Sequence, residues 1–265
     1  MRLVELPDGG RLAVDVSGPE RAPAVLLLRP LGGWRASWNG FATALARSLR
    51  VIAFDPRGSG DSSAARLSST RAMARDALSV LDALAIERAH VYGLSLGGMV
   101  ATWLALDAPD RVERLVLAST AAWGGAFRHD PLHLADVARC LARRGRAVEA
   151  CLASHTLSAS FRERWPDRVA AIRACAAERP ASRRALVTCA LAALSHDARK
   201  RLAHLRAETL VLAGFRDAIL EPDEQLALAR GVPHGRFAAV DAGHDVSAEA
   251  PDETAARVLA HFTHA

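Results

Sequence analysis

Apolar residues in this chain follow two rhythms, and the rhythms alternate. Ala24 to Leu28, Val51 to Phe54, His90 to Tyr92, Arg114 to Ala118 and Thr209 to Ala213 are short runs rich in apolar and β-branched residues. Such runs, lacking the polar alternation of a one-sided sheet, predict strands covered on both faces. Between them the period lengthens to that of a helix. Trp38, Phe41, Leu45 and Leu49 share one face over Trp38 to Leu49, and Met73, Ala77, Val80, Leu81 and Leu84 share one over Thr70 to Leu84. Near the start, Leu3 to Leu6 and Arg11 to Val16 flank Pro7-Asp8-Gly9-Gly10, which reads as an antiparallel hairpin at a sheet edge. Near the end, a helix over Pro222 to Arg230, a strand over Arg236 to Val240 and a helix over Glu249 to His261 complete the series. Strands that alternate with helices build a mostly parallel sheet with right-handed crossovers.

The alternation breaks once. From Ala122 to Arg206 the chain is rich in Ala, Arg and Leu, without a β-branched run, and several helices fit it. A helical insert between two strands reads as a cap, so the expected organisation is a core of 1–121 and 207–265 with a cap of 122–206. The length of 265 residues suits one large α/β domain with such an insertion.

Composition changes this picture little. Apolar residues make up 51% and charged residues 24%, the balance of a soluble globular protein. No apolar run approaches the ~18 residues of a membrane span and no N-terminal segment resembles a signal peptide, so a cytoplasmic location without membrane partners is expected. Cys140, Cys151, Cys175 and Cys189 are spaced too widely for a zinc clip and are expected to be small buried apolar side chains rather than disulfides. The net charge of +5 is uneven: residues 123–206 hold 16 basic and 7 acidic side chains. Lys200 is the only lysine, and the aromatic or glycine-rich elements that accompany phosphate-binding surfaces are missing, so nucleic acid is not an expected partner. Oligomeric state leaves no trace in the sequence.

The chemistry gathers at Val91-Tyr92-Gly93-Leu94-Ser95-Leu96-Gly97-Gly98, where a strand run meets Gly-x-Ser-x-Gly and a small-residue helix starts at Leu96 or Gly97. A serine on such a sharp turn holds its hydroxyl above the sheet, and glycines on either side leave room for the crossing backbone. The helix N-terminus behind it aims N–H groups at the spot where negative charge collects in acyl transfer. Further on, Leu210 to Ala213 leads into Gly214-Phe215-Arg216-Asp217, and Asp241-Ala242-Gly243-His244 follows the last strand. Both lie at the carboxyl end of the sheet, where open parallel sheets build their sites. Asp223, Asp241 and Asp245 also lie within reach along the sequence, whereas Thr120 and Ala121 offer no carboxylate after the preceding strand. The loop Asp55-Pro56-Arg57-Gly58-Ser59-Gly60-Asp61-Ser62 lacks the Gly-Lys-Ser/Thr ending of a phosphate-binding loop and reads as a structural turn.

With these four motifs in order, the chain resembles the cap-bearing α/β-hydrolases, and within them it is similar to 3-oxoadipate enol-lactonase-like serine hydrolases. The resemblance implies an α/β-hydrolase fold: a mostly parallel eight-stranded sheet flanked by helices, with the helical cap inserted before the last two strands. It also implies that Ser95 is the nucleophile, His244 the general base and then acid, and Asp217 the carboxylate that orients the imidazole. The oxyanion hole would use the amides of Leu96, the residue after the nucleophile, and Leu31, in the loop after the Ala24–Leu28 strand. In that loop the family usually has a His-Gly-like pair where this chain has Arg29 and Pro30. Arg29 therefore is solvated, braces the loop or offers a cation to a substrate carboxylate. Trp123 and Phe127 either line an apolar pocket or pack within the cap. The implied activity is hydrolysis of a small ester, lactone or thioester, with neither metal nor cofactor. Two other activities fit the same scaffold: non-hydrolytic or carbon–carbon-bond chemistry, and ligand binding without turnover.

Overall fold

The computed structural model of the chain describes residues 1–38, 40–64, 68–128, 131–143 and 145–263, with the backbone alone at 127, 128, 131–134 and 149. In chain order its strands and helices are β1 (Arg2–Glu5), β2 (Arg11–Ser17), β3 (Ala24–Leu28), α1 (Gly40–Leu45), β4 (Arg50–Phe54), α2 (Thr70–Ala83), β5 (Ala89–Leu94), α3 (Leu96–Asp107) and β6 (Val112–Ala118). Five helices follow without an intervening strand: α4 (Pro131–Leu141), α5 (Arg146–His155), α6 (Ala159–Arg164), α7 (Pro166–Glu178) and α8 (Arg183–Leu194). Then come β7 (Glu208–Gly214), α9 (Pro222–Gly231), β8 (Gly235–Val240), α10 (Val246–Glu249) and α11 (Pro251–Thr263).

The eight strands form one sheet in the order β1-β2-β4-β3-β5-β6-β7-β8. β2 pairs antiparallel with both β1 and β4, and every other neighbouring pair is parallel. The continuous apolar runs serve two layers at once, because successive side chains leave a strand on opposite faces. Leu26, Leu28, Val91, Leu115 and Val211 face one core, closed by α2 and α3 through Val80, Leu81 and Leu104. Val25, Leu27, Tyr92, Val116 and Leu212 face the other, closed by α1 and α11 through Phe41, Leu45, Val258 and Phe262.

Two predicted helices have other bounds than their apolar period suggested. The first spans Gly40–Leu45, after which turn bonds such as Leu49 N–H to Leu45 O close the chain, so Trp38 and Leu49 reach the core from its ends. The last splits at Ala250, where φ −127° and ψ 61° precede Pro251. A residue before proline is pushed out of the helical region, and proline then opens the new helix.

The helical segment between β6 and β7 docks on the core through specific bonds. Trp34 Nε1 donates to Cys175 O at 2.8 Å, Arg179 Nη1 to Asp61 Oδ1 at 2.6 Å, and Ser182 N to Gly58 O at 2.8 Å. One sequence expectation is corrected here. Cys140 in α4 and Cys151 in α5 form a disulfide with Cα atoms 5.4 Å apart, while Cys175 and Cys189 are free. The antiparallel approach of two helices brings these positions together, and linear spacing carries no sign of it. Among the described residues no helix is long and apolar enough to cross a membrane.

Candidate active site

Ser95 sits between β5 and α3 with φ 55° and ψ −118°, a left-handed backbone that a non-glycine residue adopts only when its surroundings enforce it. The enforcement is local. Ser95 N–H donates to Ala118 O at 2.9 Å, and its carbonyl accepts from Thr120 Oγ1 at 2.7 Å. A Cβ on Gly97 would lie 2.0 Å from Leu28 O, and one on Gly93 would lie 2.4 Å from Gly97 O. Both glycines are therefore fixed by the close crossing of β3, β5 and α3 that lifts the serine above the sheet.

His244 follows β8 and is 3% exposed. Its Nε2 lies 2.9 Å from Ser95 Oγ and its Nδ1 2.8 Å from Asp217 Oδ2. A carboxylate only accepts, so Nδ1 carries the ring proton and Nε2 is left to accept from the serine. Asp217, in the loop after β7, is itself held: its Oδ1 accepts the amides of Ile219 at 2.8 Å and Leu220 at 3.0 Å. The neighbouring aspartates are engaged elsewhere. Asp241 binds Arg216 through both oxygens, and Asp245 caps α10 by accepting from Ala248 N and Ser247 Oγ. Among the described residues no cluster of three His, Cys, Asp or Glu side chains could hold a metal ion.

Ser95 and His244 open onto a cavity of about 150 Å³ whose other walls are mainly apolar, among them Leu31, Leu96, Val137 and Leu152. The amides of Leu96 and Leu31 donate to no acceptor among the described residues. Leu96 is the first residue of α3, so its N–H belongs to the unpaired set at a helix start. Arg29 and Trp123 do not line this cavity. Arg29 is not solvated: it is 8% exposed and lies over the Trp38 ring, with no partner for its Nε and Nη1 among the described residues. Burial holds its pKa below the ordinary arginine value, against the opposing pull of Asp245. Trp123 bridges to Asp197, packs with Ala121, Ala126 and Leu220, and lies beneath the Arg199 guanidinium at 4.3 Å. The side chain of Phe127 lies outside the described residues.

The family model for the alpha/beta hydrolase fold matches residues 23–251, most of the chain. The protein is an alpha/beta hydrolase. It is 30% identical over 252 residues to 3-oxoadipate enol-lactonase 1 of Acinetobacter baylyi, covering 92% of this chain and 90% of that one. It is 33% identical over 239 residues to the putative carbamate hydrolase RutD of Azorhizobium caulinodans, covering 86% of each. The crystal structure of the enol-lactonase from Burkholderia xenovorans LB400 superposes with a TM-score of 0.86 at 25% identity, over 97% of this chain and 98% of that one. The activity of this alpha/beta hydrolase is thus hydrolytic.

Two residues of the hydrolase's site lay outside the sequence reading. Gln225, fully buried in α9, directs Nε2 toward Asp217 Oδ2 at 3.4 Å and Leu220 O at 3.2 Å, bracing the acid loop. Glu249 of α10 is buried and accepts from Ser158 N and, at 2.8 Å, from Ser158 Oγ at the start of α6. Burial raises its pKa, and the bonds from Ser158 oppose that rise. A Cβ on Gly243 would lie 2.5 Å from Glu249 Oε1, so this carboxylate backs the residue before His244. For Gln225 the helix period marks a half-turn from the polar face. For Glu249 no sequence signal exists, because its partner is 91 residues away.

Proposed function

We propose that this hydrolase cleaves a small carboxylic ester, lactone or thioester through a Ser95–His244–Asp217 triad and an acyl-enzyme. One observation carries the reading: an unbroken hydrogen-bonded line from Asp217 through His244 to Ser95, ending at a largely apolar cavity. Ser95 Oγ attacks the carbonyl carbon as its proton passes to His244 Nε2. The C–O (or C–S) bond of the leaving group then breaks, and the same proton passes from Nε2 to the departing atom. Water repeats the sequence on the acyl-enzyme, releasing the acid and restoring Ser95. The amides of Leu96 and Leu31 hold the oxyanion, and each is worth ~10²–10³ in kcat by analogy with other such holes. Residues 122–206 form the cap that closes over the site.

The enol-lactonase likeness supports a lactone or ester carbonyl, and the carbamate hydrolase likeness supports an acyl carbon bearing a heteroatom leaving group. A fluorophosphonate probe is expected to label Ser95 and to fail on Ser95→Ala, which also loses turnover of short p-nitrophenyl esters. Labelling that survives in the Ala variant overturns the assignment.

A further inference from the structure

Two chambers meet at His244, and they differ in chemistry. The first is the 150 Å³ cavity floored by Ser95, with walls from Leu31, Val137, Leu152 and Ala190. The second, about 590 Å³, is lined by Asp136, His155, Ser160, Arg162, Arg216 and His244, and Ser95 does not reach it. His155, Thr156, Ile219 and His244 line both, so the two chambers adjoin along these residues. At this junction His155 Nε2 lies 3.2 Å from Asp136 Oδ2.

Acid catalysis fixes which part of the substrate enters which chamber, given the serine-hydrolase reading above. The acyl carbon bonds to Ser95 Oγ, so the acyl group stays beside Ser95. The leaving oxygen takes its proton from His244 Nε2, so the alcohol departs on the histidine side. We propose that the acyl group occupies the small apolar chamber and the alcohol the polar one, and that preferred substrates join a short aliphatic acyl group to a hydrophilic, negatively charged alcohol. The apolar chamber, about 150 Å³ against about 590 Å³ for the polar one, is the smaller of the two and takes the shorter group. The charge follows from the lining. Asp136 is already neutralised by Arg139 and faced by His155, and Arg216 is neutralised by Asp241. Arg162 pairs with no carboxylate among the described residues, which leaves the polar chamber with a positive excess.

The test is a matrix of esters turned over by the intact protein and followed by pH-stat. Acetyl, butanoyl and octanoyl groups are each joined to glycerol, to 1-butanol and to the hydroxyl of 3-hydroxypropanoate. We expect kcat/KM to fall by about tenfold or more from butanoyl to octanoyl, the scale on which an apolar pocket reads chain length. At fixed acyl group the order is 3-hydroxypropanoate, then glycerol, then 1-butanol. Ala190→Phe, or the milder Ala190→Val should Phe impair folding, moves the chain-length limit downward and keeps the alcohol order. Arg162→Glu lowers the ratio of anionic to neutral alcohols by about three- to tenfold, the scale of an exposed charge contact. A preference for long acyl groups or for 1-butanol, with turnover still lost in Ser95→Ala, overturns the chamber assignment and leaves the serine-hydrolase reading standing. An unchanged ratio in Arg162→Glu overturns the anionic alcohol. No turnover of any ester, with Ser95 unlabelled by fluorophosphonate, overturns both readings.

Discussion

The Arg29 guanidinium lies 4.2 Å from the centre of the Trp38 ring, directly ahead of Pro30 and Leu31. This stacking, worth up to about 2 kcal/mol where water is excluded, offsets part of the cost of burying a cation whose Nε and Nη1 make no hydrogen bond among the described residues. Leaving charged donors unsatisfied costs about 1–3 kcal/mol or more. Methionine has similar length and stacks on an indole without that cost. Arg29→Met is therefore expected to keep or raise the melting temperature, and to change kcat/KM on neutral esters by less than about threefold, because the side chain is outside the Ser95 cavity. A large rise in KM confined to anionic esters would instead make Arg29 a ligand for the substrate.

Asp217 acts by deciding which nitrogen of His244 carries hydrogen. In Asp217→Asn the amides of Ile219 and Leu220 still require an acceptor, so the carboxamide oxygen stays where Oδ1 was. Its NH₂ then faces Nδ1, which must accept, and the ring proton moves to Nε2. An Nε2–H cannot take the serine proton. We expect kcat to fall by about 10³–10⁴-fold, the scale of a wrong tautomer in such triads, with circular dichroism and melting temperature close to the parent. Stopped-assay rates within tenfold of the parent would remove Asp217 from the proposed triad.

Ser95 was legible because several constraints coincide within a few residues: a strand run before it, a helix start after it, and glycines at which an added Cβ would lie 2.0–2.4 Å from backbone oxygens. Asp217 and His244 were legible through their places after β7 and β8, since a parallel sheet brings the carboxyl ends of its strands to one edge. The resemblance singled out Asp217 among three aspartates that lie in the loops after these strands, and it is Asp217 that meets His244 Nδ1 while Asp241 and Asp245 are engaged elsewhere. Arg29 was harder, because its burial depends on how the loop after β3 folds back to lay the Trp38 ring against it. The segment from 122 to 206 was least legible. Its helices were visible, but which faces meet is a tertiary matter: Trp123 turns away from the cavity, and Val137 and Leu152 turn toward it.

The disulfide between Cys140 and Cys151 ties the two helices that carry Val137 and Leu152 into the small chamber. It closes a sequence separation of 11 residues, for which loop-closure entropy gives about 3 kcal/mol. Reduction by dithiothreitol, or the double substitution of Cys140 and Cys151 by serine, is expected to lower the melting temperature by several degrees. It should also blur chain-length selectivity for esters, since α4 and α5 are then free to separate. Free-thiol titration of the unfolded protein checks the premise directly: two reactive thiols without reductant and four with it. Four in both conditions would show that the cysteines are unpaired in solution.

His196 and His90 both contribute to the pH dependence of stability, and His196 is the one whose surroundings suggest a clean substitution. Its Nδ1 lies 2.9 Å from Thr70 Oγ1, its buried Nε2 has no partner among the described residues, and the Trp103 ring stands edge-on 6.3 Å away. Burial pulls its pKa from 6.5 to about 4, only partly opposed by Asp197. The same cause, aided by Arg114, His261 and Arg88, takes His90 to about 4. Between pH 6.5 and about 4 the unfolded chain therefore holds protons that the folded chain refuses. Stability is greatest above the unfolded value and falls as the solution is acidified through this window. Each histidine contributes on the order of 3 kcal/mol across it. Urea unfolding at a series of pH values should show this slope, and His196→Gln, which keeps a bond to Thr70 but does not titrate, should reduce it. A slope unaltered by the substitution would mean that the ring is charged in the fold or reached by water.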